Sequence, residues 1–378
     1  MALDQYRKFF PITAKKIYMN HAAISPMSTR VTEKLDWYID ERSFGMVDIY
    51  PKALEIRESL RESAARLINT KPVNIAFISN TSEGFNILVH GLEWQQGDQI
   101  ILTDYEFPSN IYPFKNLESQ GVEIVLVPNR EGTIELDDIE KAITPRTKLL
   151  SISFVEFSNG FRNDLEAIGK ICKENGIIFS VDGIQGLGGI QLDVQKYQID
   201  FLSNGGHKWL MGTMGSGLMF IHPELFIKIR PRFTGWLAVE NAWDFFDYKL
   251  DFLPDAKRFE YATGNFLGIT ALSASIGLLL EAGPAEIENH LLTIGAQMVE
   301  GMEAQGLKFL GSRDKKYWSG IYSFAGKNME KFQEYLLSKD IICALRNGNL
   351  RVSPHFYNTN DEVGELIGET GKFYSVKS

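Results

Sequence analysis

The sequence predicts an α/β fold, with a mainly parallel central sheet covered by helices on both faces and a smaller α+β unit at the C-terminal end. Two observations predict it. From 74 to 220, short apolar runs alternate with amphipathic stretches, as in strands that are buried on both faces and joined by helices. After Pro223 this gives way to long helical stretches and then short strands. A chain of 378 residues is long enough for one large or two moderate domains with an ample core.

Taken in order, "NIAFISN" (74–80) reads as a strand and "SEGFNILVHGL" (82–92) as a helix. "DQIILTD" (98–104) is a strand, a helix is expected over 110–120, and "VEIVLVP" (122–128) is the next strand. "LDDIEKAI" (136–143) is helical and "TKLLSISFV" (147–155) extended. "DLEAIGKICKENG" (164–176) is a helix with a glycine stop, followed by strand "IIFSVDG" (177–183). "IDFLSNG" (199–205) and "GSGLMFIH" (215–222) complete the sheet, and the right-handed crossover rule builds a doubly wound layer from it. Helices are expected over 264–282 and 284–305, then strand 320–326, helix 329–340, a strand and turn over 350–358, and a closing helix over 361–374. The chain divides into an N-terminal segment, 1–45, packing with the small domain, a large domain, 46–262, and a small domain, 263–378.

Composition narrows the function. The net charge is −9, with 44% hydrophobic and 23% charged residues. No nucleic-acid partner is expected, since such binding needs clustered Lys and Arg. The start of the chain, "MALDQYRKFFPITAKK", has no apolar core of a signal peptide. The most apolar stretch, 266–280, is broken by Gly, Ser and Thr and is too short for a bilayer, so no membrane partner is expected. Two cysteines make no disulfide framework, which makes a cytoplasmic location the default. Six scattered histidines with no HExxH give no reason to expect a protein-built metal site.

The chemistry-bearing residues lie where strands end. "GIQGLGG" (183–189) and "GTMGSG" (212–217) suggest dinucleotide or phosphate loops. The first has no helix opening behind it, and the second lacks GK[ST] and runs into a strand. A nicotinamide-dependent oxidoreductase is therefore kept only as a minor alternative. Asp182 ends one strand, Lys208 follows another, and Thr81 and Ser82 follow a third and open a helix. Ligands of open α/β sheets sit beyond the C-terminal strand edges. The helix start offers an anion seat. A partly desolvated lysine is a Schiff-base candidate, and a buried aspartate needs a cationic partner. A phosphate, an aldehyde and a protonatable ring nitrogen together describe pyridoxal 5′-phosphate (PLP).

The stretches "YMNHAAISP" (18–26), "NTSEGFN" (80–86), "SVDGIQGLG" (180–188), "DFLSNGGHKWLMGTMGSG" (200–217), "RFEYATGN" (258–265) and "LRVSPHFYNT" (350–359) resemble the class V PLP-dependent aminotransferases. That group includes cysteine desulfurases, selenocysteine lyases and isopenicillin N epimerase-like enzymes. The resemblance implies the PLP-dependent transferase fold type I and a homodimer with shared active sites. It implies that Lys208 holds the cofactor aldehyde, Asp182 pairs with the ring nitrogen and Gln185 bonds the ring 3′ oxygen. His207, Thr81 and Ser82 would bind the phosphate, and Thr263 would reach the phosphate of the neighbouring subunit. Arg351 would grip the substrate carboxylate. Lys208 and Asp182 are the implied catalytic residues, acting on a small α-amino acid through an external aldimine. Transamination is the expected outcome, with C–S lysis or epimerisation as alternatives.

Departures from the family pattern matter too. Phe107 stands where desulfurases usually carry His; it can stack on the ring but transfers no proton. Gly205 replaces a family Ser that donates to the phosphate. "CALRNGNLRVS" (343–353) is too short to hold the loop that carries a desulfurase cysteine, so neither Cys172 nor Cys343 suits a persulfide nucleophile. Blander readings stay open: Asp182 as a helix cap or metal ligand, Lys208 as a snorkelling side chain, Arg351 in a structural ion pair, Phe107 as core, and the whole chain as a catalytically silent binding module of the same fold.

Overall fold

The computed structural model describes residues 3–375. In chain order the strands are β1 (Ile17–Tyr18), β2 (Ile75–Ile78), β3 (Gln99–Thr103), β4 (Glu123–Val127), β5 (Thr147–Ser153), β6 (Ile178–Asp182), β7 (Phe201–Gly205), β8 (Gly217–Ile221), β9 (Lys308–Phe309), β10 (Tyr322–Ala325), β11 (Ile341–Ile342), β12 (Ala344–Arg346) and β13 (Asn349–Val352). Seven of them form one sheet in the order β2-β8-β7-β6-β5-β3-β4. Only β8 runs against its neighbours, antiparallel to both β2 and β7. The other pairings are parallel.

Burial explains the sheet. Every residue of β3, β6, β7 and β8 is buried, as their near-continuous apolar runs require of strands covered on both faces. Two apolar cores lie on the two sides, one around Phe179, Leu202 and Trp209, the other around Phe85, Phe114 and Phe201. The apolar helix Phe266–Ala282 packs against helices Thr29–Ser43 and Tyr50–Leu67. Among the described residues no single helix is long and apolar enough to cross a membrane.

One expected helix is much reduced. Over 110–120 the chain makes one short α-helix, Tyr112–Lys115, flanked by 3₁₀ turns. Pro108 and Pro113 each remove a backbone donor in this region, which disfavours a longer ladder.

Strands β12, β13, β10 and β9 form a second, antiparallel sheet. Beside it the N-terminal segment forms a separate two-stranded sheet, β1 pairing in parallel with β11, and an isolated bridge joins Asn20 to Ser353, just past β13. That crossing brings Ala22 and Ser25 to the large sheet's edge: Ser25 Oγ donates to Lys208 O at 2.6 Å.

Candidate active site

Strands β2, β3, β5, β6 and β7 all point the same way, so their C-terminal ends share one edge of the sheet. The segments leaving that edge carry Asn80 and Thr81, Glu106 and Phe107, Glu156, Asp182, and finally His207 and Lys208. Ligands of open α/β sheets sit at such an edge.

The anion seat follows from local chemistry. Helix Thr81–Gly91 starts behind Asn80, whose extended backbone lets its side chain accept the Glu83 N–H at 3.0 Å. The Glu83 carboxylate returns to the Ser79 N–H at 2.5 Å. Thr81 and Ser82 occupy the first turn, where backbone N–H groups have no intrahelical acceptor. Thr81 Oγ1 is buried and has no hydrogen-bond partner among the described residues. A Cβ built on Gly205 would lie 3.3 Å from Thr81 Oγ1 and 3.4 Å from His207 Cε1. Thr81, Gly205 and His207 therefore meet at one spot, packed closely enough that a Cβ at 205 would also press on Ile184 Cδ1 at 3.0 Å.

Asp182 and Lys208 are both buried, and burial pushes each toward its neutral form. The Asp182 carboxyl rises to about 7, with the Glu106 charge adding to burial, while the Ile184 N–H and Lys208 oppose the rise. Its Oδ1 accepts that N–H at 2.9 Å, and its Oδ2 has no hydrogen-bond partner among the described residues. The Lys208 amine falls to about 8 through burial, with Asp182 opposing and the charges of Arg351 and Arg346 assisting. An amine so placed is partly neutral near pH 8 and can attack a carbonyl. The Phe107 ring faces it, with the Lys208 Nζ 5.4 Å from the ring centroid. Burial and neighbouring Lys208 also lower the His207 imidazole.

Gln185 is buried beside them. Its Nε2 donates to Ala22 O at 3.0 Å and its Oε1 accepts from Trp209 Nε1 at 3.1 Å. One amide hydrogen remains for a ligand. Arg351 reaches this edge from β13. It is 1% exposed, and its Nη1 donates to Phe157 O at 2.6 Å. Among the described residues its Nε and Nη2 have no hydrogen-bond partner, and burial lowers it to about 9. A buried guanidinium with two open nitrogen donors can accept a carboxylate in a two-pronged pair.

The donor set fits pyridoxal phosphate. The orphaned Asp182 Oδ2 suits a ring N–H, Thr81 Oγ1 at the helix start suits a phosphate, and the Lys208 amine suits the aldehyde. Thr263 is not brought to this crevice within one chain. It is exposed and lines a separate cleft of about 220 Å³ with Ser79, Glu83, Gly215 and Asn265. The segment before it is anchored by Glu260, which takes two hydrogen bonds from buried Arg61, at 2.7 and 3.0 Å, and one from the Phe77 N–H at 2.9 Å.

Sequence reasoning missed three charged groups. Glu106 is buried and accepts from Ser153 N and Oγ, Asn110 Nδ2 and Thr103 Oγ1, yet burial still raises its pKa. Glu156 is fully buried, and burial and the Glu106 charge push it well above the usual carboxylate range. Arg346 is half-buried on β12. Glu106 directly precedes Phe107 in the sequence, but nothing local marks a loop glutamate as buried. His21 and His355, given no role from sequence, are buried behind Trp209. His21 bonds Ser353 O and the Tyr357 hydroxyl, and His355 bonds Trp209 O at 3.0 Å.

The sequence profile of the class V aminotransferases matches residues 17–366. A probable cysteine desulfurase of Pyrococcus abyssi is 31% identical, over 97% of this chain and 96% of its own. An uncharacterized aminotransferase of Bacillus subtilis is 26% identical over the same shares. The apo structure of a cysteine desulfurase from Thermococcus onnurineus superposes with a TM-score of 0.90, at 28% identity, covering 98% of each chain. The chain thus belongs to the class V aminotransferase family, as a PLP-dependent transferase or lyase that acts on amino acids.

Proposed function

We propose that the enzyme is an aminotransferase for a small α-amino acid. In this reading Lys208, Asp182, Gln185, His207, Thr81, Ser82 and Phe107 hold the cofactor, and Arg351 anchors the substrate carboxylate. The observation that carries the choice is Phe107. The ring facing Lys208 has no proton to give a departing sulfur, whereas transamination asks only that protons move between carbons. When bound, pyridoxal phosphate supplies a carbonyl for the substrate amine and a ring that takes up the electron pair of the broken α-bond. Lys208 Nζ, whose pKa burial lowers to about 8, would take the α-proton and deliver it to the cofactor's aldehyde carbon, the transfer that separates transamination from epimerisation. Asp182 keeps a proton on the ring nitrogen. Arg351 turns the α-carbon toward Lys208.

A C–S lyase is the second reading, favoured by the relative named a probable cysteine desulfurase. It would have to work without a cysteine nucleophile, because Cys172 and Cys343 are both buried and burial pushes both thiols up. A homodimer is part of the proposal. Exposed Trp243, Phe245, Phe246 and Tyr248 offer apolar area to a second copy, and Thr263 lies open to a partner's phosphate. The division at 46–262 and 263–378 belongs to the same proposal.

The test is to incubate the PLP-loaded enzyme with single amino acids, with and without a 2-oxo acid. An aminotransferase yields the 2-oxo acid of its donor and turns over only when an acceptor is present. Catalytic sulfide release from cysteine or cystine without an acceptor would move the assignment to the lyase. Lys208→Ala should abolish turnover yet retain weak cofactor binding through the remaining contacts.

A further inference from the structure

Arg351 shares its face of the small sheet with a second guanidinium. In the β12–β13 hairpin Ala344 pairs with Arg351, and Arg346 pairs with Asn349. Paired residues of an antiparallel ladder project from the same face, as do alternate residues of one strand. Arg346 and Arg351 are therefore diagonal neighbours, positions roughly 7–8 Å apart that long side chains can bridge. The turn between the strands is Asn347-Gly348, with φ of 50° and 76°. A two-residue turn with both residues left-handed is tight and holds this register.

Among the described residues neither charge has an ion-pair partner. Arg351 Nη1 and Arg346 Nη1 each donate to a backbone carbonyl, Phe157 O at 2.6 Å and Leu345 O at 2.7 Å. No carboxylate offsets the lowering of Arg351. The Arg346 charge reaches both Arg351 and Lys208 and lowers both. Two like charges kept together at a buried edge without an anion are costly. A ligand with two anionic groups relieves that cost, and an α-carboxylate supplies only one.

We propose that Arg346 receives a second acidic group of the substrate, so that this enzyme's amino acid is one with a side-chain carboxylate. The proposal rests on the amino-acid reading above and names the class of substrate within it. Arg351 takes the α-carboxylate and Arg346 the distal one, across the diagonal of the hairpin.

The experiment uses the PLP-loaded enzyme and two amine-free acids of equal length that cannot react, glutarate and valerate, each titrated by calorimetry. Glutarate should bind more tightly than valerate. Arg346→Met should cut that preference on the order of tenfold to a hundredfold, the effect of losing a charge-assisted contact. Arg346→Lys, which keeps a point charge without the planar fork, should restore part of it. Equal binding of the two acids by the unaltered enzyme overturns the proposal, as does an equal loss for both acids in Arg346→Met. Failure of Lys208 to form its imine with the cofactor, read from absorbance, would defeat the functional reading instead. Normal loading without a glutarate preference defeats only the present inference.

Discussion

The indole N–H of Trp209 donates to Gln185 Oε1 at 3.1 Å, and Gln185 Nε2 donates to Ala22 O at 3.0 Å. The residue after Lys208 thus fixes the amide that follows Asp182 by three positions. The N-terminal segment fixes its other end.

Trp209→Phe removes that donor and leaves a buried acceptor unpaired, which costs about 1–3 kcal/mol. The urea midpoint should fall, and cofactor affinity should weaken as the Gln185 amide loses its orientation. Equilibrium dialysis of the cofactor beside urea titrations checks both; an unchanged midpoint with unchanged affinity would remove Gln185 from the positioned set.

Asp182→Asn should have opposite effects on stability and activity. In the cofactor-free protein the folded carboxyl holds its proton up to about 7, against an ordinary value of 3.8. The folded state then binds more protons than the unfolded chain across that window, so stability falls as pH rises through it and stays lowered above it. The asparagine variant without cofactor should resist urea better than the unaltered protein at pH 8, with the gap closing toward pH 5. With cofactor bound, its turnover should drop by about 3 kcal/mol or more, the scale of a lost electrostatic contribution at the reacting centre. Parallel urea curves at the two pH values would show that Asp182 is not a desolvated acid.

Arg351→Lys should raise KM for α-amino acids about tenfold to a hundredfold, because an ammonium cannot replace two parallel N–H donors worth about 1.5–3 kcal/mol. Simple amines without a carboxylate should be affected much less. Equal losses for both kinds of amine in steady-state assays would make Arg351 structural.

Cys172→Ala with Cys343→Ala should leave turnover unchanged. Both thiols are buried, and burial pushes the Cys343 thiol to about 12 and Cys172 up as well. A thiol so raised supplies almost no thiolate near neutral pH. Mass spectrometry that finds a persulfide on Cys343 during turnover with cysteine would refute this.

Sequence alone determined the layer of alternating strands and helices, the strand-end positions of Asp182, Lys208 and Thr81, and the absence of room for a cysteine loop before Arg351. Those features are local: apolar periodicity, caps and spacing are all written within a few residues. Tertiary structure decided the rest. The reversal of β8 between β2 and β7 depends on which strands pair, and pairing is not encoded in any one segment. Glu106 and Glu156 look like loop acids until the fold closes over them and raises both pKa values. Arg346 and Arg351 are five positions apart in sequence, and only the hairpin register sets them on one face. Burial and strand pairing depend on contacts that no single segment encodes, and that is why the buried acids and the placement of Arg346 beside Arg351 could not be read before the chain was folded.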